Sequence, residues 1–228
     1  MQAFLILSYV VATLLNAVRA HYVFSKIKVN GIESEEYEVI RRNTNGESPI
    51  TDLEDPELRC NVGASNKVNG TKTVIVESGS NITWVTETYI YHPGPLSVFM
   101  TRVDNASTAD GSTEWFKILD IGPKFTKRGG DWRHIQQSEF NVTVPPCLAT
   151  GQYLMRIQHI AIHVPGGEPQ FHVACAQMMV IGTGVDMPPK AYMVRIPEVF
   201  TRDHPGFNQN IFVNFKEYLI PGGNVWKC

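Results

Sequence analysis

Three short stretches of this chain put nitrogen donors where a metal ion could use them. The first is Val18-Arg19-Ala20-His21. Ala3 to Leu15 is almost continuously apolar, and small residues stand at Val18 and Ala20, the pattern of a secretory signal peptide cut after Ala20. The apolar run is too short to span a bilayer comfortably, which argues against a membrane anchor. Cleavage would make His21 the first residue, and its α-amine and imidazole Nδ1 would then chelate one ion. The second stretch is Tyr91-His92-Pro93-Gly94-Pro95. A histidine in a Pro/Gly turn ahead of a strand points into solvent or into a site. Together with His21 it would complete a planar three-nitrogen set, and tetragonal nitrogen coordination favours Cu(II). The third is Gln170-Phe171-His172-Val173-Ala174-Cys175. Strand side chains alternate faces, so Gln170 and His172 share one face and Phe171 and Cys175 the other. Phe171 and Cys175 are expected to look into the core, and Gln170 and His172 away from it. His163 ends the preceding strand, where His159, Ala161 and His163 alternate with Ile160 and Ile162. Taken alone, His163 reads equally well as a hydrogen-bonded edge residue.

These donors need a rigid frame. The chain has 228 residues, 43% hydrophobic and 18% charged, enough for one substantial globular domain. Its 14 Pro and 18 Gly are spread along the sequence, which suits many strands joined by turns. Strand-like runs cover Phe24 to Val29, Thr71 to Glu77, Asn81 to Thr86, Leu96 to Val103, Phe116 to Ile121, Phe140 to Val144, Tyr153 to His163 and Phe171 to Ile181. Asn30-Gly31 is a hairpin signal, and no long segment has a helical period. The expected fold is all-β: an immunoglobulin/fibronectin-like antiparallel β-sandwich with long polar loops near 40–70, 104–114 and 122–138. After loss of 1–20, residues 21–228 form a single copper-binding domain in this reading.

The formal net charge of −2 gives a nucleic-acid partner no electrostatic support. Four cysteines, Cys60, Cys147, Cys175 and Cys228, are an even set for a secreted chain and suggest two disulfides. No CxxC pair is present, which disfavours structural zinc. Sequons at Asn69, Asn81, Asn105 and Asn141 are glycosylation candidates. No acid pair stands out that would mark a glycoside hydrolase.

Read in order, these motifs resemble the lytic polysaccharide monooxygenases of auxiliary activity family 9, formerly glycoside hydrolase family 61. His21 matches the family's mature N-terminal histidine. His92-Pro93-Gly94-Pro95 with Val98-Phe99-Met100 is similar to its HxGP-plus-strand motif. Pro145-Pro146-Cys147, Gly151-Gln152-Tyr153-Leu154-Met155-Arg156 and Ile160-Ala161-Ile162-His163 resemble its P-x-C…G-x-Y-L-x-R…I-A-L-H block. The stretch from Ile196-Pro197 to Tyr218-Leu219-Ile220-Pro221-Gly222 resembles its ending. The resemblance implies one copper ion, Cu(II)/Cu(I), braced by His21 and His92, with His163 and Gln170 hydrogen-bonding oxygen species beside it. It implies Tyr218 as a flat ring for sugar, and the disulfides Cys60–Cys175 and, with it, Cys147–Cys228. It further implies a secreted, extracellular monomeric enzyme. That enzyme would take electrons from an external donor and oxidise cellulose or another β-glucan at C1 and/or C4, with no membrane partner. Two positions depart from the family. His172 stands where the axial tyrosine is usual, and Gln158 where glutamate is common. His172 favours a second reading, a secreted copper-binding protein of the same fold without polysaccharide-oxidising activity. A metal-free sugar-binding sandwich is a third.

Overall fold

The computed structural model describes residues 22–65, 70–163 and 166–228. The expected signal segment, His21 and Asn69 lie outside the described residues. Twelve strands follow in chain order among them: β1 (Phe24–Val29), β2 (Ile32–Glu33), β3 (Val74–Glu77), β4 (Asn81–Thr86), β5 (Leu96–Val103), β6 (Trp115–Ile121), β7 (Lys124–Thr126), β8 (Gly129–Asp131), β9 (Glu139–Thr143), β10 (Gly151–Ala161), β11 (Gln170–Ile181) and β12 (Met193–Val194). A four-stranded sheet, β2-β1-β4-β9, faces a six-stranded one, β12-β6-β5-β10-β11-β3. The hairpin signal is realised as expected. Asn30 and Gly31 both take positive φ (48° and 88°) between Val29 and Ile32, which pair across the turn.

Two expectations need correction. The sheets are not wholly antiparallel, because β3 runs parallel to β11 from Val74↔Met178 to Glu77↔Ile181. No hairpin joins these two strands, so nothing in the chain imposes antiparallel direction on them. The Ser78-Gly79-Ser80 turn carries the chain from β3 in the large sheet to β4 in the small one. The second correction concerns the loop at 122–138, which contains the small β7–β8 hairpin.

The core has two layers. Between the sheets lie Phe24, Ile82, Trp84, Phe140 and Val142 from one side and Val98, Met100, Phe116, Tyr153, Met155, Ile157, Ala174 and Met178 from the other. A ring the size of Trp84 removes roughly 150–250 Å² from water, worth about 4–6 kcal/mol. Its buried indole Nε1 has no hydrogen-bond partner, which costs about 1–3 kcal/mol, so burial still wins. The second layer is the outer face of the large sheet. There Phe99, Leu154, Ile160, Phe171, Val173 and Cys175 pack under Leu58, Phe200, Phe207 and Phe215 from the loops. Strands β10 and β11 are therefore covered on both faces.

The two largest buried cations are satisfied internally. Arg156, fully buried, donates to the carbonyls of Leu58 (3.0 and 2.8 Å) and Arg59 (2.9 Å) and to Gln158 Oε1 (2.6 Å). Burial lowers its pKa to about 9. Arg41 does the same for the loop, donating to Gln177 (3.2 Å), Ala64 (3.0 Å) and Ala106 (2.8 Å). Both disulfides form, Cys60–Cys175 with Cα atoms 5.1 Å apart and Cys147–Cys228 at 5.9 Å. The first closes a loop with a sequence separation of 115 residues, worth about 4–5 kcal/mol in the chain-entropy picture. The segment after Ile196 is wrapped onto the domain, with Lys117 Nζ donating to the Pro221 carbonyl (2.9 Å) and Trp226 packed edge-on against Phe116.

Two core histidines give the fold a pH dependence. Burial pushes the pKa of both His134 and His159 below the ordinary value, so the native state keeps them neutral. The unfolded chain takes up protons below about pH 6.5 that the native state refuses, so stability is full above that pH and lost on acidification. Each imidazole steepens the loss by at most about 1.4 kcal/mol per pH unit. Thermal melts of metal-free protein from pH 7.5 to 5 should show a falling Tm, and His134→Gln should flatten the slope.

Candidate metal centre

Strand β10 does the positioning. Its pairing with β5 ends at His159↔Leu96, and the turn before β5 continues the ladder without being a strand. Ile160 N–H donates to the Pro95 carbonyl and Ile162 N–H to that of Pro93, both at 3.0 Å. Gly94 between them has φ 150°, and a Cβ there would sit 1.8 Å from the Ile160 carbonyl oxygen. Only glycine lets the turn lie flat on β10. The result is a stack: the His92 and His163 rings are 4.3 Å apart and 13° from parallel.

On the other side, β11 pairs with β10 through Ala161↔Gln170 and His159↔His172. This brings Gln170 to the same end of the sheet as His163. Gln170 Oε1 and His163 Nδ1 are both buried and have no hydrogen-bond partner among the described residues. Buried acceptors and imidazole nitrogens are rarely left unsatisfied, which marks this end of the sandwich as a candidate ligand site.

His172 departs from its expected face. With both faces of β11 covered, it is Phe171, Val173 and Cys175 that meet the loops, while His172 joins Ala174, Ala176 and Met178 between the sheets. It is only 3% exposed, and its ring lies 4.4 Å from that of Tyr22 at 33°. Tyr22, the residue after His21, is the hub of the cluster. Its ring is 6.4 Å from His92, 5.7 Å from Tyr91 and 5.6 Å from His159, and its hydroxyl is hydrogen-bonded to His159 Nδ1. Burial, and then the neighbouring Tyr91, raise the Tyr22 phenol well above its usual range. Burial also holds His159 well below its usual value, helped by His134, His172 and His92 and opposed by the Gly94 carbonyl. Tyr22, His134 and His159 were not singled out from the sequence as site residues. The signal for His159 was its parity, since it shares a strand face with His163.

Among the described residues, no group of three His, Cys, Asp or Glu could hold a metal by itself. The donor chemistry nevertheless fits a nitrogen-ligated ion, given imidazoles at His92 and His172, orphaned polar atoms beside them, and His21 one residue before Tyr22. The structure does not bring Tyr218 into that cluster. Its hydroxyl donates to the Gly206 carbonyl at 2.8 Å, and its ring meets Trp132 edge-on at 5.1 Å, half-buried at the surface. Asn81, Asn105 and Asn141 are exposed.

The model of Auxiliary Activity family 9 (formerly GH61) matches residues 21–218. The chain belongs to auxiliary activity family 9. Its family is one of copper-dependent monooxygenases that cleave polysaccharides oxidatively. AA9 family lytic polysaccharide monooxygenase E of Podospora anserina is 41% identical over 92% of this chain and 70% of its own length. AA9 family lytic polysaccharide monooxygenase A of Botryotinia fuckeliana is 42% identical over 91% and 64%. The C enzyme of Emericella nidulans is 35% identical over 96% and 97%. The chain thus spans about two thirds of the first two and nearly all of the third. Among solved structures, HiLPMO9B superposes with a TM-score of 0.83 at 28% identity, covering 91% of this chain and 100% of that one. A cellulose-active polysaccharide monooxygenase from M. thermophila gives 0.79 at 26% identity, covering 91% and 99%.

In this family member the turn glycine is a geometric requirement. Gly94→Ala should cost about 1–3 kcal/mol in backbone strain and pull His92 off His163. Urea unfolding reads the first effect, and loss of copper affinity by calorimetry reads the second.

Proposed function

We propose that the mature protein is a secreted, extracellular copper monooxygenase that oxidises cellulose or another β-glucan at C1 and/or C4. Copper, when bound, supplies the one-electron chemistry that turns dioxygen or peroxide against a sugar C–H bond. The chain's part is to hold and surround it. The His21 amine and Nδ1 with a His92 nitrogen form the three-nitrogen brace. Tyr22, locked against His172 and His159, anchors the segment that begins at His21. His163 and Gln170 would flank bound copper with the nitrogen and carbonyl left unpartnered in the protein, where they could hold a proton or orient a small oxygen species. His172 would border the site from its place against the Tyr22 ring. Tyr218 offers its fixed ring to the polymer, Asn69, Asn81, Asn105 and Asn141 are the glycan positions, and the working unit is a monomer supplied by an external electron donor.

The observation that carries this reading is the stacked His92–His163 pair beside two orphaned polar atoms, in a chain that belongs to this family. Mature protein starting at His21 and loaded with one copper should release oxidised oligosaccharides from cellulose, xyloglucan or mixed-linkage glucan when given ascorbate and peroxide, as read by mass spectrometry. His92→Ala should abolish them. His163→Ala or Gln170→Ala should lower turnover by about 10–100-fold with copper still bound.

The imidazole of His172, buried against Tyr22, favours one other reading, copper binding without polysaccharide oxidation. Tight copper binding with no oxidised product from any glucan, restored by His172→Tyr, would establish that alternative.

A further inference from the structure

The β7–β8 hairpin carries charge out of keeping with the rest of the chain. The whole sequence has 20 basic and 22 acidic residues. Lys124, Lys127, Arg128 and Arg133 nevertheless fall together in residues 124–133, where Asp131 is the only acid. Lys124 pairs across the hairpin with Asp131, but that carboxylate is held by Arg133 at 3.3 Å. Lys216, from the wrapped segment after Ile196, joins the turn by donating to the Lys127 carbonyl at 3.0 Å. Its neighbour Glu217 lines a groove with Pro205 and Gln209 instead. Lys124, Lys127, Arg128 and Lys216 are all exposed, and none has a carboxylate partner among the described residues. On a chain of net negative charge, four such cations concentrate a positive field in one place.

The hairpin that presents them is fixed. A Cβ on Gly130 would stand 2.2 Å from the Phe215 ring, and one on Gly129 3.1 Å from Asn214 Oδ1. The two glycines let β8 lie flat on the wrapped segment. Phe125 is edge-on to Phe215 at 5.6 Å and keeps 42% of its surface in solvent. Phe215 stacks on Trp132 at 6.3 Å and 27°, and Trp132 meets Tyr218 at 5.1 Å. The hairpin is thus a ledge continuous with the ring proposed to meet the polymer. A neutral glucan has no use for its cations. An open aromatic ring suits the apolar face of a β-linked sugar. Ammonium groups and a guanidinium suit carboxylates, the guanidinium through two parallel hydrogen bonds.

We propose that the β7–β8 hairpin binds the carboxylates of a β-linked, uronate-bearing polysaccharide and so selects acidic over neutral polymer beside Tyr218. This deepens the reading of Tyr218 as a polymer contact and rests on it. Phe125 takes a sugar ring, while Lys124, Lys127, Arg128 and Lys216 take the carboxylates. No bond is made or broken there.

Binding of mature protein to glucuronoxylan tests this, with no reductant present so that nothing is oxidised. The control polymer is the same glucuronoxylan after chemical reduction of its carboxyl groups to alcohols. At low salt the acidic form should bind about 10-fold more tightly. That preference should fade between about 0.01 M and 1 M salt, as the screening length falls from about 30 to 3 Å. Lys124→Ser, Lys127→Ser and Arg128→Ser together should bring binding of the acidic form down to that of the reduced form, with a thermal melt to check folding. Lys127→Arg with Arg128→Lys keeps the charge and should keep the preference. Equal binding of the two polymers, or a preference that survives the triple substitution, overturns the proposal. Polyglutamate that competes as well as glucuronoxylan at equal carboxylate concentration also overturns it, and marks the hairpin as a contact for an acidic protein. Failure of the copper reading looks different, because the carboxylate preference would then stand while no glucan yields oxidised product. Oxidised product from a neutral glucan without any carboxylate preference would remove the acidic-polymer site and keep the copper reading.

Discussion

Strand β10 has no solvent face, and most of the structure answers that constraint. A strand covered on both sides must find a partner inside the protein for every polar side chain it carries. On its outer face Arg156 donates to Gln158 Oε1 and to the carbonyls of Leu58 and Arg59, which ties down the loop that carries Cys60. On its inner face the apolar series Tyr153, Met155, Ile157 gives way to His159, Ala161 and His163 as the strand nears the open end of the sandwich. Each polar residue there recruits something. His159 takes the Tyr22 hydroxyl, and His163 takes the ring of His92. At the candidate metal centre His163 Nδ1 and Gln170 Oε1 are among the buried polar atoms that find no partner among the described residues.

Gln158 and His172, the two positions that the sequence reading sets apart from the family pattern, each have a physical setting in the fold. A neutral Gln158 beside Arg156 leaves a fully buried cation held only by dipoles, and burial accordingly lowers its proton affinity. Such a cation is tolerable because four donor contacts surround it and the Phe99 and Phe200 rings flank it at 5.3 and 5.9 Å. His172 keeps an aromatic surface against Tyr22, so the packing that holds the first residues of the domain does not require a phenol at 172.

Much of the frame was legible from residue types. Strands β1, β4 and β5 end where alternation and turn residues say they should, and Asn30-Gly31 dictated its hairpin because two consecutive positive-φ residues are needed there. The side on which His172 lies was not legible. Parity tells which residues share a face, but when both faces are apolar it cannot tell which face is which. The parallel pairing of β3 was hidden for a related reason, since its hydrophobic pattern is compatible with either direction. The β7–β8 hairpin has glycines where a strand would show β-branched residues. In the candidate centre, the rings of His92 and His163 stack, Gln170 lies opposite Ala161 at the same end of the sheet, and His172 meets Tyr22. Tyr22 and His134 escaped notice because their role comes from tertiary contact, with no spacing to announce it.

Tyr22 is 2% exposed, hydrogen-bonded to His159 and packed against Tyr91 and His172, and β1 begins only two residues after it. If the proposed copper brace holds, any extra residue left ahead of His21, whether an initiator methionine or the scar of an affinity tag, would convert its amine into an amide and remove one donor, while the core from Tyr22 onward would keep its contacts. Such a preparation would be expected to fold like the mature protein and yet lose the proposed chemistry. The authenticity of the first residue is therefore a quality standard for recombinant material that no measurement of folding can replace.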